Sequence, residues 1–196
     1  MNQIKFIQYL VLLFLCVNAQ SAVAKELNDQ SIYFDFGTGV IEEFRGTYKF
    51  KYQKVEFKKI GRSGYLIKTT GDISPSKNYL HTSKGYTYWI VSRSNEKWLV
   101  IKNVIKKGDH WKNYLRGWEQ TYDVIDIDYT LETPAGTFPK CAKIKISWIA
   151  HEHDMSGHQA KIIYLAPHLG IVKQEDYEQD NKWHEEILTS FKKLSE

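Results

Sequence analysis

The sequence predicts a mainly β protein: a single antiparallel, strongly curved sheet or half-barrel that ends in a four-strand meander and carries a short helix. Three observations lead there. Apolar and polar residues alternate with period two in many segments, while long 3.6-period or heptad stretches are missing. Only four prolines occur, and no Pro/Gly/Ser linker or internal repeat divides the chain. Two turn motifs, Thr133-Pro-Ala-Gly136 and Ala166-Pro-His-Leu-Gly170, separate runs whose faces can be assigned residue by residue.

The first 24 residues read as a signal peptide. Lys5 is their one charge, and it precedes the apolar run Tyr9–Val17, which is too short to span a bilayer comfortably. Ala22-Val-Ala24 places small side chains where a signal peptidase reads them. Cys16 is not a lipid attachment site on this reading, because Leu15 stands where a small residue is needed. Cleavage near Ala24 leaves residues 25–196 as one β-rich domain in the periplasm or outside the cell. No further apolar stretch is long enough to cross a membrane. Loss of Lys5 lowers the formal charge of +4 by one, too little basic excess for a nucleic-acid footprint. Cys141 then remains as a single cysteine without an internal disulfide partner, and it reads as a small buried apolar side chain.

In Tyr48-Lys-Phe-Lys-Tyr52 aromatics and lysines alternate, and the apolar parity changes before Val55 and Phe57, which predicts a bulge near Gln53–Lys54. Strands follow at Tyr65–Thr69, Tyr86–Ser92 and Trp98–Val104, separated by turns at Gly61–Gly64, Ser83–Gly85 and Ser94–Glu96. The stretch between Gly108-Asp-His-Trp111 and Arg116-Gly-Trp118 reads as irregular, with a helical turn.

The second half permits a register. In Val124–Glu132 the odd positions Ile125, Ile127, Tyr129 and Leu131 are apolar; in Cys141–Ala150 the even positions Ala142, Ile144, Ile146, Trp148 and Ala150 are. Pro134–Thr137 is expected as a four-residue hairpin loop containing a type I turn from Thr133 to Gly136. Thr133 then opposes Phe138, Ile127 opposes Ile144 and Ile125 opposes Ile146, with Asp128 facing Lys143 and Asp126 facing Lys145. Asp154-Met-Ser-Gly157 forms the next loop, setting Trp148 opposite Ile163 and Ile146 opposite Leu165. Two further turns lead into Ile171–Tyr177 and Trp183–Phe191, giving about nine strands in all.

Few residues point to chemistry. His151, His153 and His158 converge at the tip of the second hairpin and are the candidate metal ligands, for zinc with an open fourth position. Asp126 and Asp128 lack the oxygen count of a calcium site. No nucleophile elbow or dinucleotide-binding glycine pattern is present, and adjacent Glu185 and Glu186 must point to opposite faces of a strand. Trp89, Trp98, Trp111 and Trp118 are the candidate lining of a hollow for a lipid, glycan or peptide.

Lys107-Gly-Asp-His-Trp111, Thr133-Pro-Ala-Gly-Thr-Phe138 with Cys141, and Leu165-Ala-Pro-His-Leu-Gly-Ile-Val-Lys173 resemble a loose group of exported bacterial β-rich proteins built on a domain of unknown function. The resemblance covers roughly residues 98–178. It implies a β-rich periplasmic domain and carries no catalytic residue. Near the start, Arg45-Gly-Thr-Tyr48 replaces the Trp-x-Tyr of that group. The expectation is therefore a non-enzymatic exported protein without a resident cofactor, binding a small molecule, lipid or envelope protein and no nucleic acid. Alternatives are a metal-dependent envelope enzyme using the histidines, and a partner-binding or structural protein.

Overall fold

The structure, a computed structural model, describes residues 33–195 apart from 38, 48–51, 61–63, 73–75, 84, 92–95, 116–117 and 151–158. The expected leader, most of the Lys–aromatic run and the Asp154–Gly157 loop lie outside the described residues.

Among the described residues twelve strands form: β1 (Gly39–Gly46), β2 (Gln53–Ile60), β3 (Gly64–Gly71), β4 (Ser76–Ser83), β5 (Tyr86–Val91), β6 (Glu96–Lys102), β7 (His110–Leu115), β8 (Trp118–Thr133), β9 (Gly136–Ala150), β10 (Gln159–Ala166), β11 (Gly170–Glu178) and β12 (Asn181–Lys193). All pairings are antiparallel, in one sheet of order β6-β5-β4-β3-β2-β1-β12-β11-β10-β9-β8-β7. The mainly β, strongly curved sheet is as expected, and β9 to β12 are the predicted meander. The strand total was underestimated. No helix occurs among the described residues, and the segment read as a helical turn is β7.

First and last strands pair with each other, so the open edges are β6 and β7, which follow one another in sequence. Side chains draw these edges together. Trp111 of β7 donates its indole N–H to the Val100 carbonyl of β6 at 2.9 Å, and the Val100 amide donates to the Tyr122 hydroxyl of β8 at 3.4 Å. The rings of Trp111 and Tyr122 stack with centroids 5.0 Å apart. Backbone groups that would be unpaired on an edge thus find partners, and the sheet approaches a closed barrel.

One end of this barrel is filled. Tyr33, Phe34 and Phe36 are buried ahead of β1, and Phe36 packs on Phe57 and Tyr65 at centroid distances of 4.4 and 5.1 Å. The Pro167–Leu169 turn closes over the same rings. His168 and Gly170 have φ values of +62° and +74°, and a Cβ on Gly170 would approach Phe36 to 3.1 Å. Glycine fits there because it tolerates the left-handed backbone and leaves room for the ring.

Several pairings differ from expectation. The Thr133–Gly136 turn forms where predicted, but Thr133 pairs with Gly136 and Leu131 with Phe138, a tighter hairpin than a four-residue loop allows. Farther along, Val124 rather than Ile127 opposes Ile144, Tyr122 rather than Ile125 opposes Ile146, and Asp126 rather than Asp128 opposes Lys143. Asp123, not Asp126, faces Lys145. Irregularities between Val124 and Leu131 cause this, because each extra residue swaps inward and outward positions. Val124 is 3% exposed and Ile125 is 40% exposed. Asp126 stitches the irregularity, accepting the amides of Ile127 and Asp128 on Oδ1 at 2.9 and 3.3 Å. Across the next hairpin Trp148 opposes Gln159, Ile146 opposes Lys161 and Ile144 opposes Ile163. Gln53 and Lys54 pair regularly with both neighbours, so the predicted bulge there is instead the start of β2.

Candidate functional site

Inward-facing side chains of the barrel do not fill it. A cavity of about 780 Å³ runs through its interior. Phe44, Val55, Phe57, Leu99, Ile146, Ile163 and Ile171 form much of the wall, with the indoles of Trp89, Trp148 and Trp183. Phe34 from the aromatic plug lies at its floor. Trp183 is 49% exposed and is the third residue after the Gln179–Asp180 turn, at the end of the barrel opposite the plug.

A compact set of polar groups interrupts this wall. β10 supplies Lys161, β11 supplies Gln174 and Asp176, and β12 supplies His184 and Glu186, all lining the cavity. Register explains the cluster: Asp176 pairs with both His184 and Lys161, while Gln174 pairs with Glu186. Lys161 Nζ lies 3.3 Å from Asp176 Oδ1 and donates to Gln174 Oε1 at 3.3 Å. Gln174 Nε2 in turn donates to Glu186 Oε2 at 2.8 Å. Burial pushes the Glu186 carboxyl up to about 7, although Lys161 pulls the other way. Burial also lowers the His184 imidazole, opposed by Asp176. His184 is 7% exposed, and its Nδ1 has no hydrogen-bond partner among the described residues.

Glu42 stands apart from this cluster. It points inward from β1, between Val40 and Phe44, and pairs with Val55 of β2. At 1% exposure it is among the most buried side chains of the protein, and Oε1 has no partner among the described residues. Burial holds its carboxyl well above the usual carboxylate range. Gly46 of the same strand pairs with Glu186, so Glu42 lies four residues, roughly 13 Å of strand, nearer the plug.

The tryptophans named from sequence separate. Trp89 lines the cavity and meets Phe57 edge-on, with centroids 6.1 Å apart. Trp111 belongs to the β6–β7 seam, and Trp118 sits half-buried at the start of β8, where it pairs with Leu115. Neither lines the cavity. The side chain of Trp98 and all of His151, His153 and His158 lie outside the described residues. Among the described residues, no group of three His, Cys, Asp or Glu side chains is placed to hold a metal ion. Cys141 is fully buried, and burial pushes its thiol up to about 11, as suits a packing residue.

Glu42, Lys161, Asp176, His184 and Glu186 escaped the sequence reading. One signal was available for Glu186: it and Glu185 do point to opposite faces, with Glu185 joined outside to Lys173 and Lys182 at 3.1 and 2.8 Å.

Fold and site together define a twelve-stranded antiparallel barrel-like protein with a mostly apolar, internally acidic cavity. The family model described as DUF3108-like matches residues 124–187, from within β8 into β12. Two crystal structures share the fold. A candidate lipoprotein of Parabacteroides distasonis matches with a TM-score of 0.54 and 15% identity, over 84% of this chain and 100% of its own. A candidate exported protein of Bacteroides fragilis with a YmcC-like fold matches with a TM-score of 0.55 and 15% identity, over 83% of this chain and 100% of its own. No curated protein matches at a significant level. The chain therefore resembles a group of β-rich exported proteins, as its turn motifs implied.

Proposed function

We propose that this is a non-enzymatic protein of the bacterial envelope that holds a small amphiphilic molecule inside its barrel. The cavity carries this reading. Its volume of about 780 Å³ lies within the range of about 300–1,000 Å³ common for small-molecule sites. Its wall also has their usual chemistry, an apolar and aromatic surface with a few convergent polar groups. An alkyl chain or ring system would lie against Val55, Phe57 and Trp89, and polar atoms would meet the carboxyls, the amides and His184.

Export is supported by the apolar leader with its Ala22-Val-Ala24 site, and by structural neighbours described as exported or as a lipoprotein. Native mass spectrometry of protein gently recovered from the envelope tests both parts. It should show a chain beginning near Lys25 that carries one small molecule, released on unfolding. A chain recovered only from the cytoplasm, with its leader intact and no added mass, would refute the proposal.

A further inference from the structure

We propose that the cavity selects an amphiphile whose polar group is cationic, an aliphatic amine, with Glu42 as its buried counter-ion. The inference rests on the reading of the barrel as an amphiphile-binding site and goes further by assigning the charge of the ligand.

Charge balance is the first argument. Among the described residues three carboxyls line the cavity, Glu42, Asp176 and Glu186, against one ammonium, Lys161. That ammonium is already committed to Asp176 and Gln174. Burial disfavours the ionised forms of Glu42 and Glu186, and a ligand carboxylate or phosphate would disfavour them further inside a wall of low polarizability, where charges interact far more strongly than in water. An ammonium would do the opposite.

Glu42 itself points the same way. A carboxyl with a partnerless oxygen in an apolar wall costs free energy unless something bonds to it. The residues paired with Glu42 on either side offer no cation: they are Val55 of β2 and Phe191 of β12, and Phe57 is the next inward residue of β2. A primary ammonium entering the cavity supplies both a donor and a charge, a charge-assisted bond of the stronger kind. The cavity wall also includes the rings of Phe44, Phe57 and Trp89, whose faces attract cations. The open Nδ1 of His184, nearer the mouth, accepts a donor in the same way when its proton sits on Nε2.

The test uses three probes with one chain length and different heads: decylamine, decanol and decanoate, each below its micelle concentration at about pH 8. Binding is followed by quenching of the cavity tryptophans. Decylamine should bind at least about tenfold more tightly than decanoate, the equivalent of one charge-assisted hydrogen bond. Glu42→Gln should remove most of that advantage, with an unchanged far-UV circular dichroism spectrum showing that the variant is folded. Equal affinity for decylamine and decanoate, or an unchanged decylamine affinity in Glu42→Gln, would overturn the assignment while leaving the binding site standing. Failure of all three probes to bind would end both readings.

Discussion

Glu186 shows how one inward side chain couples the cavity to pH. Its carboxyl titrates near 7 in the folded barrel and near 4.5 in an unfolded chain. Between those values the unfolded chain gives up this proton while the folded chain keeps it. Stability therefore falls as pH rises through the window, by about 3 kcal/mol over its full width. Glu186→Gln removes the effect, so the variant should gain stability over the native protein progressively above about pH 5, in urea midpoints measured at several pH values. A difference that stays constant with pH would contradict the burial of this group. Outward-facing Glu175 is the contrasting case. Burial raises its carboxyl, but hydrogen bonds from Lys173 and Tyr177 outweigh this and hold it below the usual range. Of the carboxyls inside the cavity, Asp176 and Glu186 also have polar partners, and Oε1 of Glu42 has none among the described residues.

The Pro167–Leu169 turn makes a sharp prediction about the floor of the barrel. Gly170→Ala must hold an L side chain at φ +74° and push against Phe34 and Phe36. The expected loss is about 2 kcal/mol or more, measurable as a lower thermal midpoint, with a larger loss of cavity binding than of secondary structure. An unchanged midpoint would mean that the plug does not pack on this turn. The sequence disclosed this turn and the β8–β9 turn because proline and glycine mark them directly. It disclosed β3, β5, β6 and β9 because their inward residues are mostly apolar, Thr69 and Thr87 aside. β1 and β4 stayed hidden for the opposite reason. Their inward positions include Glu42, Ser76 and Asn78, all facing the cavity, so polar side chains appear where alternation demands apolar ones. Polar side chains facing the cavity thus erase the alternation that marks a strand. Register failed separately, because the irregularities of β8 and the site chosen for the second loop are not written in periodicity.

Closure of the molecule depends on two different junctions. β1 and β12 join the chain ends by a backbone ladder, whereas β6 and β7 meet through Trp111, Tyr122 and the Val100 peptide. Together they enclose a space that an ordinary small domain would fill with packed side chains. If the barrel holds a ligand as proposed, this space is a binding site rather than loose packing. Thr69 lines it from β3 and faces Val55, away from the Glu186 cluster, so Thr69→Trp should fill the cavity with little damage to the ladders. The decisive measurement is titration of the neutral apolar fluorophore N-phenyl-1-naphthylamine into the native protein and this variant. Saturable, one-to-one enhancement is expected with the native protein, with its loss in Thr69→Trp and a thermal midpoint in the variant no lower than native. Equal binding to both proteins would place the probe elsewhere, and no binding to a folded native protein would contradict the account.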